Sequence, residues 1–336
     1  MRTVSDTVLR SGATTGRGTD ITETVGELGE FALIRRITAN LVQPAATLLG
    51  PGDDAAVLAA PSGSVVVTTD MLVEGRHFRF DWSDPEHIGR KAIAQNGADI
   101  AAMGAEVTGF VIGLGCPSTT PVSVIDGLTK GMAAEAALTG GGIIGGDMVQ
   151  SDRVVISVTA LGDLGGRAPA TRSGAKAGQT VAVHGRLGWS AAGLALLDAK
   201  VDGFRGFVAA HQAPTPDYAS GPAAANAGAT AMIDISDGLL ADLGHVAAAS
   251  GVAVDLDSAA LADAALIEPA GALGLDPLAW VLTGGEDHAL VAVFPDEVML
   301  PVGWRRIGRT AAGAGVTVDG TPWEGSQGWQ SFDPKG

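Results

Sequence analysis

Apolar residues at Phe31, Ile34, Ile37 and Leu41 recur every three or four positions, a spacing that predicts an amphipathic helix brought to an end near Pro44. Farther on, short apolar runs replace the helical stripe. Segments 55–58 and 65–69 read as strands, 85–103 as a helix, 110–114 as a strand, 122–138 as a second long helix, and 142–144 and 154–161 as strands. Segment 162–179 is rich in Gly, Ala and charge, and a fresh apolar run starts at Thr180, so the junction between domains is expected there. The second half reads strand 180–183, Gly-rich turn, helix 190–198, Pro-rich link, helix, strand, helix 239–249 and strand 252–256. The Gly284-Gly285 turn, a strand at 289–294 and short terminal strands follow. Strands alternating with helical crossovers and hairpins predict an α/β protein of two domains, 26–165 and 166–336, after a tail to about residue 25 without sustained periodicity. No short-period repeat is visible, although both halves carry strand-then-Asp segments.

Composition narrows the function classes. A chain of 336 residues, 46% of them hydrophobic, has apolar material for two filled cores. Its formal charge of −16 argues against nucleic acid or an anionic membrane as a partner, because neither would find a basic stripe to bind. The polar N-terminus has no apolar stretch of the secretory kind, and no later run approaches the roughly 18 apolar residues of a spanning helix. A single cysteine, Cys116, argues against disulfides and cysteine-rich zinc sites, which makes a reducing compartment, the cytoplasm, the expectation.

The chemistry lies in the carboxylates. The apolar run at 231–233 ends in Asp234-Ile235-Ser236-Asp237-Gly238 and turns into a helix. Ser236 or Asp237 can cap that helix, whose free amides favour an anion. Thr68-Thr69-Asp70 is expected to emerge at the C-terminal end of a strand, and Gly145-Gly146-Asp147 to follow one, where the paired glycines either let a ligand approach the backbone closely or form a plain tight turn. Gly52-Asp53-Asp54 sets two carboxylates side by side, and Asn96 and Asp99 share one helix face. Hard cations such as Mg²⁺ take oxygen ligands of these kinds. Each segment alone also reads as an ordinary turn, cap or solvated flank. Gly185-Arg186-Leu187-Gly188-Trp189-Ser190 runs from strand to helix and could cradle phosphate, though it matches neither established glycine fingerprint. Glu286-Asp287-His288 and His77 add groups that could meet a phosphorylated substrate. Together they favour nucleotide chemistry, since phosphates bridged by Mg²⁺ need many oxygen ligands.

Taken in order, the segments GEFALI, GPGDDAAV, TTDMLVEGRHF, KAIAQNGADIAAMGA, IIGGD, TRSGAKAG, SAAGLALL, DISDGLLADLGH and LTGGEDHAL resemble the thiamine-monophosphate kinase family. That family lies in the superfamily of aminoimidazole ribonucleotide synthetase, selenophosphate synthetase and a hydrogenase maturation factor. The resemblance spans about residues 26–332. It implies a two-domain aminoimidazole ribonucleotide synthetase-like fold, with an N-terminal mixed-sheet domain that dimerises and a C-terminal α/β domain, the active site lying between them. It further implies that Asp54, Thr68, Thr69, Asp70, Asp99, Asp147, Asp234 and Asp237 surround several Mg²⁺ ions, with Asp53 a neighbouring candidate and a monovalent cation admissible. Arg172, Ser236, Gly146 and Asp147 fall to ATP, and His77, Glu286 and Trp329 to thiamine monophosphate. No covalent nucleophile or strong base is implied.

Three departures from the family pattern stand out. Trp189 occupies the usual Asp position of GDSAAGL, Ala98 replaces a common Ser, and His288-Ala289 replaces Tyr-Glu. Two other functions fit the same residues: a sister ATP-dependent synthetase acting on another small substrate, and a non-enzymatic acidic metal- or nucleotide-binding protein.

Overall fold

The computed structural model describes residues 23–39, 41–51 and 55–329. Asp53, Asp54 and nearly all of the expected N-terminal tail lie outside the described residues. The first half contains α1 (Val25–Leu28), α2 (Glu30–Thr38), β1 (Thr47–Leu49), β2 (Val57–Leu58), β3 (Val66–Val73), α3 (Pro85–Ala102), β4 (Glu106–Cys116), α4 (Val122–Leu138), β5 (Ile143–Gln150) and β6 (Val155–Asp163). The second contains β7 (Thr180–His184), α5 (Trp189–Ala199), α6 (Arg205–Gln212), α7 (Ser220–Asn226), β8 (Ala231–Asp234), α8 (Leu239–Ser250), β9 (Val252–Leu256), α9 (Ser258–Leu261), α10 (Ile267–Leu273), α11 (Pro277–Thr283), β10 (Leu290–Phe294), β11 (Arg305–Ala312) and β12 (Gly315–Val318).

Each half folds around its own mixed sheet, giving the expected two-domain α/β architecture. In the first, the order is β3-β6-β4-β5, with β4 and β5 parallel through the α4 crossover and the other pairs antiparallel. Alternation along β3 turns Leu72 toward the helices and leaves Val67 and Met71 in solvent. Phe110, Ile156 and Val158 meet Ile88, Ile93 and Ile100 of α3 and Ile125 and Leu128 of α4, each burial contributing about 1.5–3 kcal/mol. The second sheet runs β12-β9-β11-β7-β10-β8, and Val181, Val183, Ile233, Val291 and Val293 pack with Leu196, Leu239 and Leu243.

Helix α3 belongs to the first half by sequence but joins the two. Asp84 starts it by accepting the His87 N–H at 2.9 Å, with Pro85 at its first position. At its far end Ala101 and Ala102 pack with Ala182, Ala224, Met232, Leu290 and Phe294 of the second half, small residues that let the backbones approach closely. Buried Glu135 of α4 strengthens the seam, accepting from Tyr218 Oη at 2.6 Å and from Arg90 Nη1 at 3.1 Å. Gln212 of α6 also donates to the Trp82 carbonyl.

Three expectations need correction. β3 continues to Val73, so Asp70 lies inside a strand rather than at its end. Gly145-Gly146-Asp147 is likewise strand, within β5, and no turn. The helices at Arg205–Gln212 and between Ser258 and Thr283 were absent from the predicted order. Among the described residues, no single helix is long and apolar enough to cross a membrane.

Candidate active site

Residues expected to carry chemistry converge where α3 meets the C-terminal ends of β8 and α11. Thr68 and Asp70 point from β3 toward α3, and Thr68 Oγ1 donates to Asp99 Oδ2 at 2.7 Å. β3 is a sheet edge, where the Asp70 N–H donates to Asn96 Oδ1 at 3.0 Å. Asn96, fully buried, anchors itself by donating from Nδ2 to the Ala92 carbonyl at 2.9 Å. The helical spacing of Asn96 and Asp99 thus faces β3, as the shared face predicts.

From the second half, β8 delivers Asp234, 4% exposed, which pairs with buried His288 at Nδ1–Oδ2 3.1 Å. Backbone bonds continue past the ends of β8 and β10, but out of the register of the strands. His288 N–H donates to the Ile235 carbonyl at 2.9 Å and Glu286 N–H to the Ser236 carbonyl at 2.8 Å. These bonds hold Glu286 and His288 at φ 63° and 50°, left-handed conformations that cost a non-glycine residue energy.

The turn into α8 does not work as its sequence suggests. Neither Ser236 nor Asp237 caps the helix. Asp242, one turn inside, accepts the N–H groups of Ser236, Asp237 and Gly238 at 3.0, 3.1 and 3.1 Å. Gly238 itself is the N-cap at φ 127°, and a side chain there would press on the Thr283 backbone. The loop 185–190 is filled in the same way. Asp287 accepts from the Gly188 and Ser190 N–H groups at 2.5 and 2.8 Å, so that loop is no open phosphate cradle.

Burial pushes Asp99 up to about 7, helped by the negative fields of Asp234 and Asp70 and opposed by the Thr68 hydroxyl. Burial also raises Asp70 and Asp237, with Asp234 adding to both shifts. Burial works against charge on His288, but its bond to Asp234 and the surrounding carboxylates win and raise it. Carboxylates from both halves therefore repel one another at the seam, an arrangement short of positive charge. Among the described residues, no three His, Cys, Asp or Glu side chains lie close enough to hold one ion by themselves. Mg²⁺ in nucleotide sites draws one or two carboxylates, with waters and substrate phosphates completing its shell, so the donor chemistry fits that ion.

Beside this cluster, Lys91 of α3 places its ammonium 2.8 Å from Glu286 Oε1, and His211 Nδ1 lies 3.4 Å from the other oxygen. Burial would raise the Glu286 pKa, yet Lys91 and His211 together hold it below the usual range. His77 accepts the Val73 N–H at Nδ1 (3.0 Å), which leaves the proton of the neutral ring on Nε2. Burial, chiefly, lowers its pKa. Trp329 N–H donates to the Asp237 carbonyl at 2.8 Å, and the Arg76 guanidinium stacks 5.0 Å from its ring centroid.

Other expected residues stand apart. Thr69 faces outward and donates to the Val158 carbonyl at 2.9 Å, so its hydroxyl does not join Asp70 and Asp99. Gly146 and Asp147 are exposed on β5, at the opposite edge of the sheet and roughly 14 Å from β3 at three strand spacings. A side chain at Gly146 would run into the Ile112 carbonyl of β4. Arg172 is exposed, and its charge acts on Asp237. The sequence reading missed Lys91, His211 and Asp242. Lys91 and Asp242 stand inside the segments KAIAQNGADIAAMGA and DISDGLLADLGH, but neither was singled out there, and His211 lies in a helix outside every such segment.

The comparisons with known proteins agree with this geometry. Residues 52–164 match the family model of the AIR synthase related protein, N-terminal domain. Over 312 residues the chain is 57% identical to the thiamine-monophosphate kinase of Mycobacterium tuberculosis (strain ATCC 25618 / H37Rv), spanning 92% of this chain and 93% of that protein. The chain belongs to the thiamine-monophosphate kinase family. The crystal structure of the family member from Stenotrophomonas maltophilia K279a superposes with a TM-score of 0.78 at 35% identity, covering 88% of this chain and 98% of that one. A relative complexed with AMPPCP and TMP superposes with a TM-score of 0.76 at 32% identity, covering 93% and 100%.

Within this family the three departures acquire local reasons. Trp189 Nε1 donates to Asp263 at 2.8 Å and its ring packs on Phe207 at 4.3 Å, so the residue serves the second core. Ala98 is fully buried in α3, where a hydroxyl would need a partner. His288 gives Asp234 a hydrogen-bonding neighbour.

Proposed function

We propose that the protein transfers the γ-phosphoryl group of ATP to thiamine monophosphate, yielding thiamine diphosphate and ADP. One observation carries this reading: Asp70 and Asp99 of one half and Asp234 and Asp237 of the other form one mutually repelling group beside the Lys91–Glu286–His77 cluster. Thr68, Asp70, Asp99, Asp234 and Asp237 would hold Mg²⁺, which when bound screens the charge of two phosphates brought together. The resemblance adds Asp53, Asp54, Thr69 and Asp147 to the ligand set and admits a monovalent cation. Arg172, Ser236 and Gly146 are assigned to ATP, and His77, Glu286 and Trp329 to thiamine monophosphate. A relative complexed with AMPPCP and TMP supports this pair of substrates.

The acceptor oxygen is already anionic, so these residues need only orient two phosphates in line, without removing a proton. His77 can donate from Nε2, and Trp329 offers a face to a cationic ring. Transfer is direct, with no phosphorylated enzyme.

We further take 26–165 and 166–336 as the two domains and the active protein as a cytoplasmic homodimer. The outer face of the first sheet exposes Val67, Met71, Val111 and Val149, an apolar surface suited to a second copy. On this reading Asp147, too far across its own sheet to reach Asp70, serves a site completed by that copy. ADP release with Mg²⁺ and ATP should rise on adding thiamine monophosphate. Stimulation by an aminoimidazole precursor instead would favour the sister synthetase, and nucleotide binding without turnover an acidic binding protein.

A further inference from the structure

Lys91 is buried in the middle of α3, 2% exposed, yet bears an ammonium group. A buried charge persists only where its partners replace water. Lys91 Nζ lies 2.8 Å from Glu286 Oε1 and donates to the His77 carbonyl at 3.4 Å. Its partners come from separate halves of the chain, one on the loop after β3 and one on the loop after α11. Both belong to the proposed thiamine monophosphate subsite. Glu286 also sits at φ 63°, a conformation that its own backbone does not favour and that outside contacts must maintain.

We propose that Lys91 is a positioning residue of the thiamine monophosphate subsite, holding Glu286 and the His77 loop in register across the seam between the halves. The proposal rests on the substrate reading given above. Lys91 acts through Glu286: with the ammonium removed, the carboxylate loses its close cationic partner and can swing out of the subsite, and the loop 284–288 keeps only its backbone bonds to Ile235 and Ser236. Among the described residues Lys91 makes no hydrogen bond or ion pair with Asp99, Asp234 or Ser236, and the backbone bonds that tie the 284–288 loop to Ile235 and Ser236 do not involve it, so the metal and nucleotide side should be spared.

The test is a double-mutant cycle on steady-state kinetics of the full chain. Lys91→Met should raise KM for thiamine monophosphate about ten- to a hundredfold, the weight of a charged hydrogen bond, while kcat and KM for ATP stay within about threefold. Lys91→Arg should restore KM to within about threefold. Glu286→Gln should raise KM similarly, and Lys91→Met/Glu286→Gln should be no worse than Glu286→Gln alone. Additive effects would make Lys91 a direct substrate contact, and unchanged KM with a lowered Tm would make it merely structural. Either outcome overturns the proposal. Should Lys91→Met fail to fold, the double variant leaves no buried charge unpaired and still reads the coupling. Wild type without thiamine monophosphate-dependent turnover would sink the substrate reading instead. Hydrogen exchange of the substrate-free protein separates the two claims: Lys91→Met should speed exchange in both 74–78 and 284–288, and unchanged protection there would refute the positioning role alone.

Discussion

Raising the pH of the metal-free protein should destabilise it, and Asp99 supplies a magnitude. Its pKa is pushed from 3.8 up to about 7 in the fold, by burial first and then by Asp234. Folded chains therefore bind this proton more tightly than unfolded ones. Between pH 3.8 and about 7 the folded state keeps a proton that the unfolded state has released, so the stabilisation present at low pH is lost as pH rises through that window. The slope is about 1.4 kcal/mol per pH unit, which makes the loss roughly 2 kcal/mol for Asp99 between pH 5.5 and 7.5. Asp242 and Asp287, each pushed up to about 7 by burial, act in the same direction, while His211, lowered to about 4 by burial, and His77, also lowered, act in the opposite one and offset part of the loss. Melting in chelator at pH 5.5, 6.5 and 7.5 should show Tm falling by several degrees, with Asp99→Asn flattening the curve. Mg²⁺ should recover more stability at pH 7.5 than at 5.5, because it binds the deprotonated carboxylates. A Tm that rises with pH, or an equal slope in Asp99→Asn, would refute the reasoning.

Asp70→Asn should abolish ADP release while circular dichroism and Tm stay at or above wild type, since it removes a ligand and some repulsion but no core contact; near-normal turnover would remove Asp70 from the site. Asp70→Asn and Asp147→Asn, each inactive alone, should recover about a quarter of wild-type activity after mixing and subunit exchange. Half of the dimers would then be mixed, each with one intact site, whereas no recovery would place Asp147 in the same chain's site. Gly238→Ala should cost about 1–3 kcal/mol, because its backbone is left-handed and its new methyl group meets Thr283; an unchanged Tm would show that this turn relaxes.

Long elements were legible wherever local signals agreed. The structure gives α4 the range Val122–Leu138 that periodicity predicts, and α3 starts at the Asp84-Pro85 signal. Strand ends were less readable, since an Asp or a pair of glycines looks like a turn until neighbouring strands claim its amides. Asp70 and Gly145-Gly146-Asp147 are both inside ladders for that reason. Caps suffered the same ambiguity. The α8 amides prefer Asp242 to Ser236 or Asp237, a choice set by side-chain reach inside the folded turn. Of the short helices between Ser258 and Thr283, α9 and α11 open behind an Asp and α10 has no capping side chain, and none carries a long apolar stripe, so they read as loop. Metal and phosphate chemistry was visible as a set of carboxylates in order. The Lys91–Glu286 pair was not, because it joins distant segments and becomes an ion pair only when α3 spans the seam.

The most direct test of the central claim follows the phosphorus. With γ-labelled ATP, Mg²⁺ and thiamine monophosphate, the label should appear in thiamine diphosphate, and none should survive denaturation on the protein, with or without acceptor. Label retained on the protein would contradict direct transfer, and unlabelled thiamine diphosphate fractions beside active ATP turnover would contradict the assigned acceptor.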